Sequence, residues 1–357
     1  MPILRVALDL PLHRLFEYRV ESASTAEIGL RVRVPFGNGG RGERIGVIVG
    51  VSDQSDWPEA QLKTASEILR DTEPLPADFF ALCEFASQYY QAPLGEVILQ
   101  ALPAGLKRIN PPERRAGRRA KLVPTTALPA LTDEQARAIA AVAVDRGFAA
   151  NLLFGVTGSG KTEVYLRLVE QALAVGQQAL LLVPEINLTP QLEERVRGRF
   201  PERTVVSLHS DLNEAARERN WRSAFAGEAD IVLGTRLSIF TPMPRLGLII
   251  IDEEHDPSFK QQDGMRYSAR DLAVVRARQA GIPIVLGSAT PSLETWANAK
   301  NGRYGLSTLK LRANPRARLP AVHVLDTRRM ALKEGISEPL LAKHALDGEA
   351  QALAGDS

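Results

Sequence analysis

Two hydrophobic rhythms divide the chain. Up to about residue 105 the apolar residues come in short runs, Ile3 to Leu10, Phe16 to Val20, Arg31 to Pro35 and Arg44 to Val51, rich in Val, Ile, Leu and aromatic residues. Arg31-Val32-Arg33-Val34 alternates strictly, the period of a strand with one face in solvent. Gly37-Asn38-Gly39-Gly40-Arg41-Gly42 supplies a turn between two of these strands. From Pro76 to Tyr90 the period changes, and Phe79, Leu82, Cys83, Phe85 and Ala86 share a face, which predicts a helix. Beyond residue 131 the apolar runs become continuous: Asn151 to Phe154, Ala179 to Val183, Thr204 to Val206, Asp230 to Leu233, Leu248 to Ile251 and Ile284 to Leu286. Unbroken runs mean burial on both faces, hence a parallel sheet enclosed by helices. After the first run, Val164, Leu168 and Ala172 form one helical row and Tyr165, Val169 and Leu173 the next. The fold class expected is α/β, a parallel-sheet lobe preceded by a small β-rich domain.

The domains expected are 1–105, a basic linker at 106–130, a lobe at 131–330 and a tail at 331–357. In the linker Lys107, Arg108, Arg114, Arg115, Arg118, Arg119 and Lys121 sit among prolines and glycine, opposed by Glu113 alone. Such a run is either simply solvated or set against nucleic-acid phosphates. The lobe opens at Leu131-Thr132-Asp133-Glu134-Gln135, where Thr132 and Gln135 have the spacing of a capping box. Gln135 either closes that box or meets a nucleotide base, and the spacing leaves both open.

Bulk composition adds little. The chain of 357 residues is long enough for two or three domains, and its formal net charge of +2 confines any nucleic-acid footprint to local patches. Its one cysteine, Cys83, offers neither an internal disulfide nor a zinc cluster and reads as a small buried hydrophobe. No apolar run reaches the roughly 18 residues of a membrane span. The start, Met-Pro-Ile-Leu-Arg, lacks the pattern of a signal peptide, so a soluble cytoplasmic protein is expected.

The chemistry concentrates at the ends of the apolar runs, where ligands gather in parallel sheets. The first run leads into Gly155-Val156-Thr157-Gly158-Ser159-Gly160-Lys161-Thr162 and then a helix. Strand, glycine loop and helix together make a phosphate cradle, because glycine lets backbone N–H groups converge and the helix N-terminus adds its positive dipole end. Lys161 would reach the β- and γ-phosphates of ATP, and Thr162 would place a hydroxyl on Mg²⁺. Leu248 to Ile251 ends in Asp252-Glu253-Glu254-His255. Asp252 fits a ligand of Mg²⁺, Glu253 a residue that orients or deprotonates the attacking water, and His255 a γ-phosphate sensor. Ile284 to Leu286 ends in Gly287-Ser288-Ala289-Thr290-Pro291, with two hydroxyls poised at another strand end.

In this order, Gly-Lys-Thr, Asp-Glu-Glu-His and Gly-Ser-Ala-Thr resemble the first motor lobe, a P-loop RecA-like fold, of a superfamily 2 helicase. Val183-Pro184-Glu185-Ile186-Asn187-Leu188-Thr189-Pro190-Gln191, Leu208-His209-Ser210, Gly234-Thr235-Arg236 and Phe259-Lys260-Gln261-Gln262-Asp263-Gly264-Met265-Arg266-Tyr267 narrow this to the bacterial replication-restart helicases. The resemblance runs from residue 1 to about 330. It implies a DNA-dependent ATPase that unwinds 3′-to-5′ at abandoned forks, with ATP and Mg²⁺ as cofactors. It also implies work with primosome proteins and single-strand binding protein in loading the replicative helicase.

The residues agree with that resemblance. Thr189-Pro190 is an N-cap followed by proline, a helix start that offers N–H groups to a DNA phosphate, and Thr235 can do the same. Phe259 and Tyr267 lie beside Lys260, Arg266 and Arg270, a composition suited either to stacking on unpaired bases or to pinning a long loop. In the family this aromatic-rich loop couples DNA binding to ATP hydrolysis, often with Trp where this chain has Met265. The family's pocket for the terminal nucleotide of a 3′ end falls on Phe16, Glu17, Gly37 and Lys63, with Asp common in place of Glu17. Two departures stand out. The family usually has a winged-helix domain where this sequence has the linker. It also has a second lobe with zinc-binding cysteines and arginine-bearing motifs, for which no ligands or motifs occur here. Two expectations result: a restart helicase and ATPase, or a chain that holds DNA and nucleotide without running a motor cycle.

Overall fold

The structure, a computed structural model, describes residues 1–37, 42–55, 57–109, 129–142 and 147–312. Arg114, Arg115, Arg118, Arg119 and Lys121 of the basic run, the apolar Ala321 to Leu325 and the tail 331–357 lie outside the described residues.

The N-terminal part is a six-stranded sheet with strands β1 (Ile3–Ala7), β2 (Phe16–Arg19), β3 (Arg31–Phe36), β4 (Gly42–Ser52), β5 (Lys63–Thr64) and β6 (Glu67–Leu69) in the order β5-β2-β1-β4-β3-β6. Its pairs are antiparallel except β2 with β5. Only Ala65 and Ser66 separate β5 from β6, so the chain joins the two outer strands and the sheet curls on itself. Leu4, Val6, Tyr18, Val32, Val34 and Ile48 fill its interior. The alternation at residues 31–34 has a different origin from the one expected. Arg31 is buried, not solvent-facing, because its guanidinium donates to the Leu106 carbonyl and pairs with Asp71.

Two helices follow, α1 (Ala77–Tyr90) and α2 (Leu94–Ala101). Phe79, Leu82, Cys83 and Ala86 are buried as the spacing predicts. A short 3₁₀ turn, Ala104–Lys107, carries a buried Leu106, so the start of the predicted linker belongs to the core. Arg108 pairs with Glu214 at 2.7 Å.

The second part begins with α3 (Asp133–Ala141), whose capping box between Thr132 and Gln135 is present in both directions. Its sheet has seven strands: β7 (Ala149–Gly155), β8 (Gln178–Leu182), β9 (Val205–Leu208), β10 (Ile231–Gly234), β11 (Leu246–Ile251), β12 (Pro283–Ser288) and β13 (Gly305–Leu309). The order is β13-β7-β12-β11-β8-β10-β9 and every pair is parallel. The continuous apolar runs account for this. Ala179, Leu181, Leu248 and Ile250 face α4 (Lys161–Ala174) and α5 (Pro190–Arg199) in one core. Leu180, Leu182, Ile249 and Ile251 face the opposite core, with α6 (Glu214–Phe225) and α7 (Ala269–Ala280). That second core continues without a break into Phe79, Leu82, Val97 and Ile98, so α1 and α2 seal one face of the parallel sheet. Strand β13 was not expected, because Leu306 and Leu309 are spaced by polar residues, and it pairs at an edge where one face stays wet.

A charge network crosses the same contact. Asp71 receives Arg31 on one oxygen and Arg222 of α6 on the other at 3.1 Å, while Arg222 donates to Glu218 at 2.8 Å. Burial alone would raise the Asp71 carboxyl, but Arg31 and Arg222 outweigh it and hold it below the ordinary carboxylate value. The unfolded chain therefore takes up this proton at a higher pH than the folded chain. The contact's contribution is complete above the ordinary carboxylate pKa and lost as pH falls through the lowered native value. Asp71→Asn is expected to cost about 1–2 kcal/mol near neutral pH, a figure reduced because the Asp71 side chain is 46% exposed. Thermal denaturation near neutral pH and in acid checks this: wild type and mutant should differ at neutrality and converge in acid. Equal melting temperatures at neutrality contradict it.

Candidate functional site

Five strands of the parallel sheet deliver their polar ends to one edge. In spatial order they present the glycine loop after β7, Ser288 and Thr290 after β12, Asp252 to His255 after β11, Pro184 to Thr189 after β8 and Thr235 after β10. Motifs scattered over more than a hundred residues thus become neighbours through strand order alone.

The glycine loop has the backbone that a phosphate cradle needs. Gly158 and Gly160 take φ of 78° and 82°, which only glycine adopts freely, and Gly160 leads directly into α4 at Lys161. Gly155 closes β7 and is buried, and Thr157 at the tip is exposed. Ser159 is buried, and its hydroxyl has no hydrogen-bond partner among the described residues. Thr162 is half-buried in the first turn of α4. Lys161 is buried and donates to the Gly155 carbonyl at 3.2 Å, with Glu253 Oε1 3.3 Å from the same Nζ. An orphaned hydroxyl, a helix start and an ammonium group converging on one loop fit an anionic phosphate. Gln135 is placed differently from the reading in which it meets a base. Its Oε1 accepts from Thr132 N at 2.9 Å, and its Nε2 donates to Ser159 O at 3.1 Å. Both ends of the amide are engaged, and Gln135 braces the loop from beneath.

The acidic run finds a separate donor for each carboxylate. Asp252 Oδ1 accepts from the Tyr165 hydroxyl at 2.8 Å. Burial pushes the Asp252 carboxyl up, and the Tyr165 donor acts against that. Glu253 holds φ at 47°, a left-handed conformation rare for a residue with a side chain, and faces Lys161. Glu254 is buried and accepts from Ser292 N at 2.7 Å and Thr295 Oγ1 at 2.9 Å, with Arg270 Nη1 at 3.3 Å. Ser292 caps α8 (Leu293–Lys300). His255 Nδ1 lies 2.8 Å from Ser288 Oγ and its Nε2 3.2 Å from Thr290 Oγ1, joining the two strand-end motifs. Asp252 and Thr162 remain the candidates for a metal. Among the described residues no group of three or more His, Cys, Asp or Glu could hold one unaided.

On the β8 and β10 side, Thr189 caps α5 with its hydroxyl accepting from Leu192 N at 3.3 Å, and Pro190 follows as expected. Thr235 is buried, and its side chain makes no capping bond. The expected stacking platforms are corrected. Phe259 and Tyr267 are both buried, Tyr267 edge-on to Phe240 at 5.3 Å, so neither ring offers a face to a base. Their role here is to pin the loop, whose exposed residues include Lys260 and Arg266.

In the N-terminal sheet, Phe16 lies edge-on to Phe36 at 5.6 Å, with the Arg14 guanidinium 4.9 Å from its ring. Lys63 Nζ donates to the Gly37 carbonyl at 3.0 Å, and Glu17 accepts from Ser55. Pairing of β2 with β5 brings Phe16, Glu17, Gly37 and Lys63 to one corner.

Sequence reasoning missed Tyr165, Glu254, Ser292, Thr295 and Arg236. Tyr165 read as one more apolar position of a helix row, because its partner Asp252 is 87 residues away in the chain. Arg236 donates to the carbonyls of Ser258 at 2.7 Å and Lys260 at 3.2 Å, a contact between distant loops that no local pattern announces.

Comparison with known proteins places these observations. A family model described as the 3′DNA-binding domain matches residues 5–103, and the DEAD/DEAH box helicase model matches 132–299. The replication restart protein PriA of Haemophilus influenzae is 36% identical over 417 residues, covering 96% of this chain and 56% of that protein. Its counterpart in Treponema pallidum is 37% identical over 339 residues, covering 93% of this chain and 50% of that protein. That of Bacillus subtilis is 49% identical over 177 residues, half of this chain and 22% of that protein. The chain spans about half the length of the first two of these relatives.

The Tyr165 contact yields a test that is independent of any ligand. A Cβ at Gly287 would overlap the Tyr165 hydroxyl, so glycine there admits the ring to Asp252. Tyr165→Phe keeps the packing and removes the donor, and is expected to lower stability by about 1–2 kcal/mol. Denaturant titration measures this, and an unchanged midpoint contradicts the assignment.

Proposed function

The chain belongs to the PriA family of replication restart proteins, and from that premise we propose that its α/β lobe is the ATP-binding lobe of a 3′-to-5′ DNA helicase. In this reading residues 131–330 form the lobe and residues 1–105 a module that receives a 3′ DNA end. The observation that carries it is Lys161 Nζ held between Gly155 O and Glu253 at the strand edge that also presents Asp252.

Each residue has a role in that reading. Lys161 leaves Glu253 for the β- and γ-phosphates, and the N–H groups of 155–162 close around them. Thr162 and Asp252 would hold Mg²⁺, which would supply neutralising charge when bound. Glu253, released from Lys161, orients a water, and His255 links that site to Ser288 and Thr290. Thr189 and Thr235 lie further along the same edge, where a single DNA strand would pass. Lys260 and Arg266 add exposed cations. Phe16, Glu17, Gly37 and Lys63 enclose the terminal nucleotide. Primosome proteins and single-strand binding protein are proposed partners on family grounds. No helix among the described residues is long and apolar enough to cross a membrane.

Calorimetry with MgATP tests the reading. Wild type is expected to bind, and Lys161→Ala to lose at least about tenfold in affinity, since it removes charge-assisted bonds to phosphate. Glu253→Gln is expected to bind at least as well as wild type, because Lys161 no longer has a competing carboxylate. Equal affinity for wild type and Lys161→Ala rejects the site.

A further inference from the structure

The loop between Phe259 and α7 has a neck, and that neck is held from the N-terminal part of the chain. Lys260 and Ser268 form an antiparallel bridge, and Gln261 N donates to Tyr267 O at 2.9 Å beside it. Above this neck Gln262, Asp263, Gly264 and Arg266 are exposed, while Met265 and Tyr267 turn inward. Tyr90, the last residue of α1, touches both sides of the neck. Its hydroxyl accepts from Ser268 N at 3.1 Å, and its ring lies 5.3 Å from Lys260 Nζ. A cation at that distance is attracted to the ring face. Gln91 then takes a left-handed φ of 53° and its N–H returns to Ser87 O, so the helix stops with Tyr90 fixed at its end.

The neck is also tied to the candidate site. Arg236, next to Thr235, donates to Lys260 O, and Ser268 caps α7, which carries Arg270 to the buried Glu254. Tyr90 therefore holds a place where the loop, the Thr235 turn and the acidic strand end are joined.

We propose that Tyr90 is a positioning residue through which the N-terminal domain sets the neck of the 260–268 loop and so transmits DNA contact to the nucleotide site. The second clause rests on the reading in the preceding section. The first stands on geometry alone, and the test separates them.

Hydrogen exchange on the ligand-free 357-residue chain compares wild type, Tyr90→Phe and, as a control, Tyr89→Phe, whose side chain is 66% exposed. Tyr90→Phe keeps the ring over Lys260 and removes only the acceptor. The Ser268 amide is expected to exchange about fivefold faster in Tyr90→Phe and at the wild-type rate in Tyr89→Phe. Equal Ser268 exchange in all three proteins overturns the proposal. The same proteins are then titrated with MgATP in the presence and absence of a single-stranded oligonucleotide. The factor by which DNA changes nucleotide affinity is expected to shrink at least twofold in Tyr90→Phe, with DNA-free affinity unchanged. An undiminished factor overturns the transmission. Absence of any factor in wild type would reject the preceding reading and leave the exchange rates to decide the role of Tyr90.

Discussion

Three consecutive carboxylates leave the end of a buried strand, and the lobe is arranged to satisfy them. Glu254 is buried and Asp252 and Glu253 are half-buried, and a charge withdrawn from water without donors is costly, so each carboxylate needs a partner. Asp252 takes the Tyr165 hydroxyl from α4, Glu253 takes Lys161 at the start of the same helix, and Glu254 takes Ser292, Thr295 and Arg270 from α8 and α7. Donors from several elements meet at one strand end, and this fixes how those elements approach each other. The Glu253–Lys161 pair differs from the others. It joins a residue in a left-handed backbone conformation to the Lys161 ammonium group, and in the proposed reading it is the contact exchanged when phosphate binds.

The N-terminal domain takes part in the lobe's core. One face of the parallel sheet is closed by α1 and α2, burying Phe79, Leu82, Val97 and Ile98 beside Ile249 and Leu286. Among the described residues the polar contacts here include Arg31–Asp71–Arg222, Tyr90–Ser268, Arg108–Glu214 and Gln279 with the Ala81 carbonyl. Apolar burial supplies adhesion and the polar contacts supply register, the division expected where two folded parts share a core.

Much of this was legible in the chain, for reasons that differ by element. The parallel sheet could be read because burial on both faces leaves no alternation in Ala179 to Val183 or Leu248 to Ile251. The glycine loop and the capping box of Thr132 could be read because local backbone geometry dictates residue type at fixed spacing. The aromatic loop misled, because composition fits base stacking and core packing equally well, and only the fold decides that Phe259 and Tyr267 turn inward. Arg31 misled in the same way. An arginine at an alternating position reads as solvent-facing unless a remote partner, here Asp71, is known. Gln135 was open between two roles and took a third contact, with the loop carbonyl of Ser159, that depends on where α3 docks. Contacts between distant segments leave no local trace, and most of the site's second layer is made of them.

In the proposed reading DNA and nucleotide bind to one mechanically connected edge. Linkage then requires that each change the affinity of the other by the same factor. The direct measurement is the affinity of a fluorescent oligonucleotide with a free 3′-hydroxyl, titrated with and without saturating MgATP analogue, and the reciprocal nucleotide titration. A change of at least about fivefold is expected, equal in the two directions. Identical DNA titration curves, in a sample where nucleotide binding is demonstrated, would contradict it.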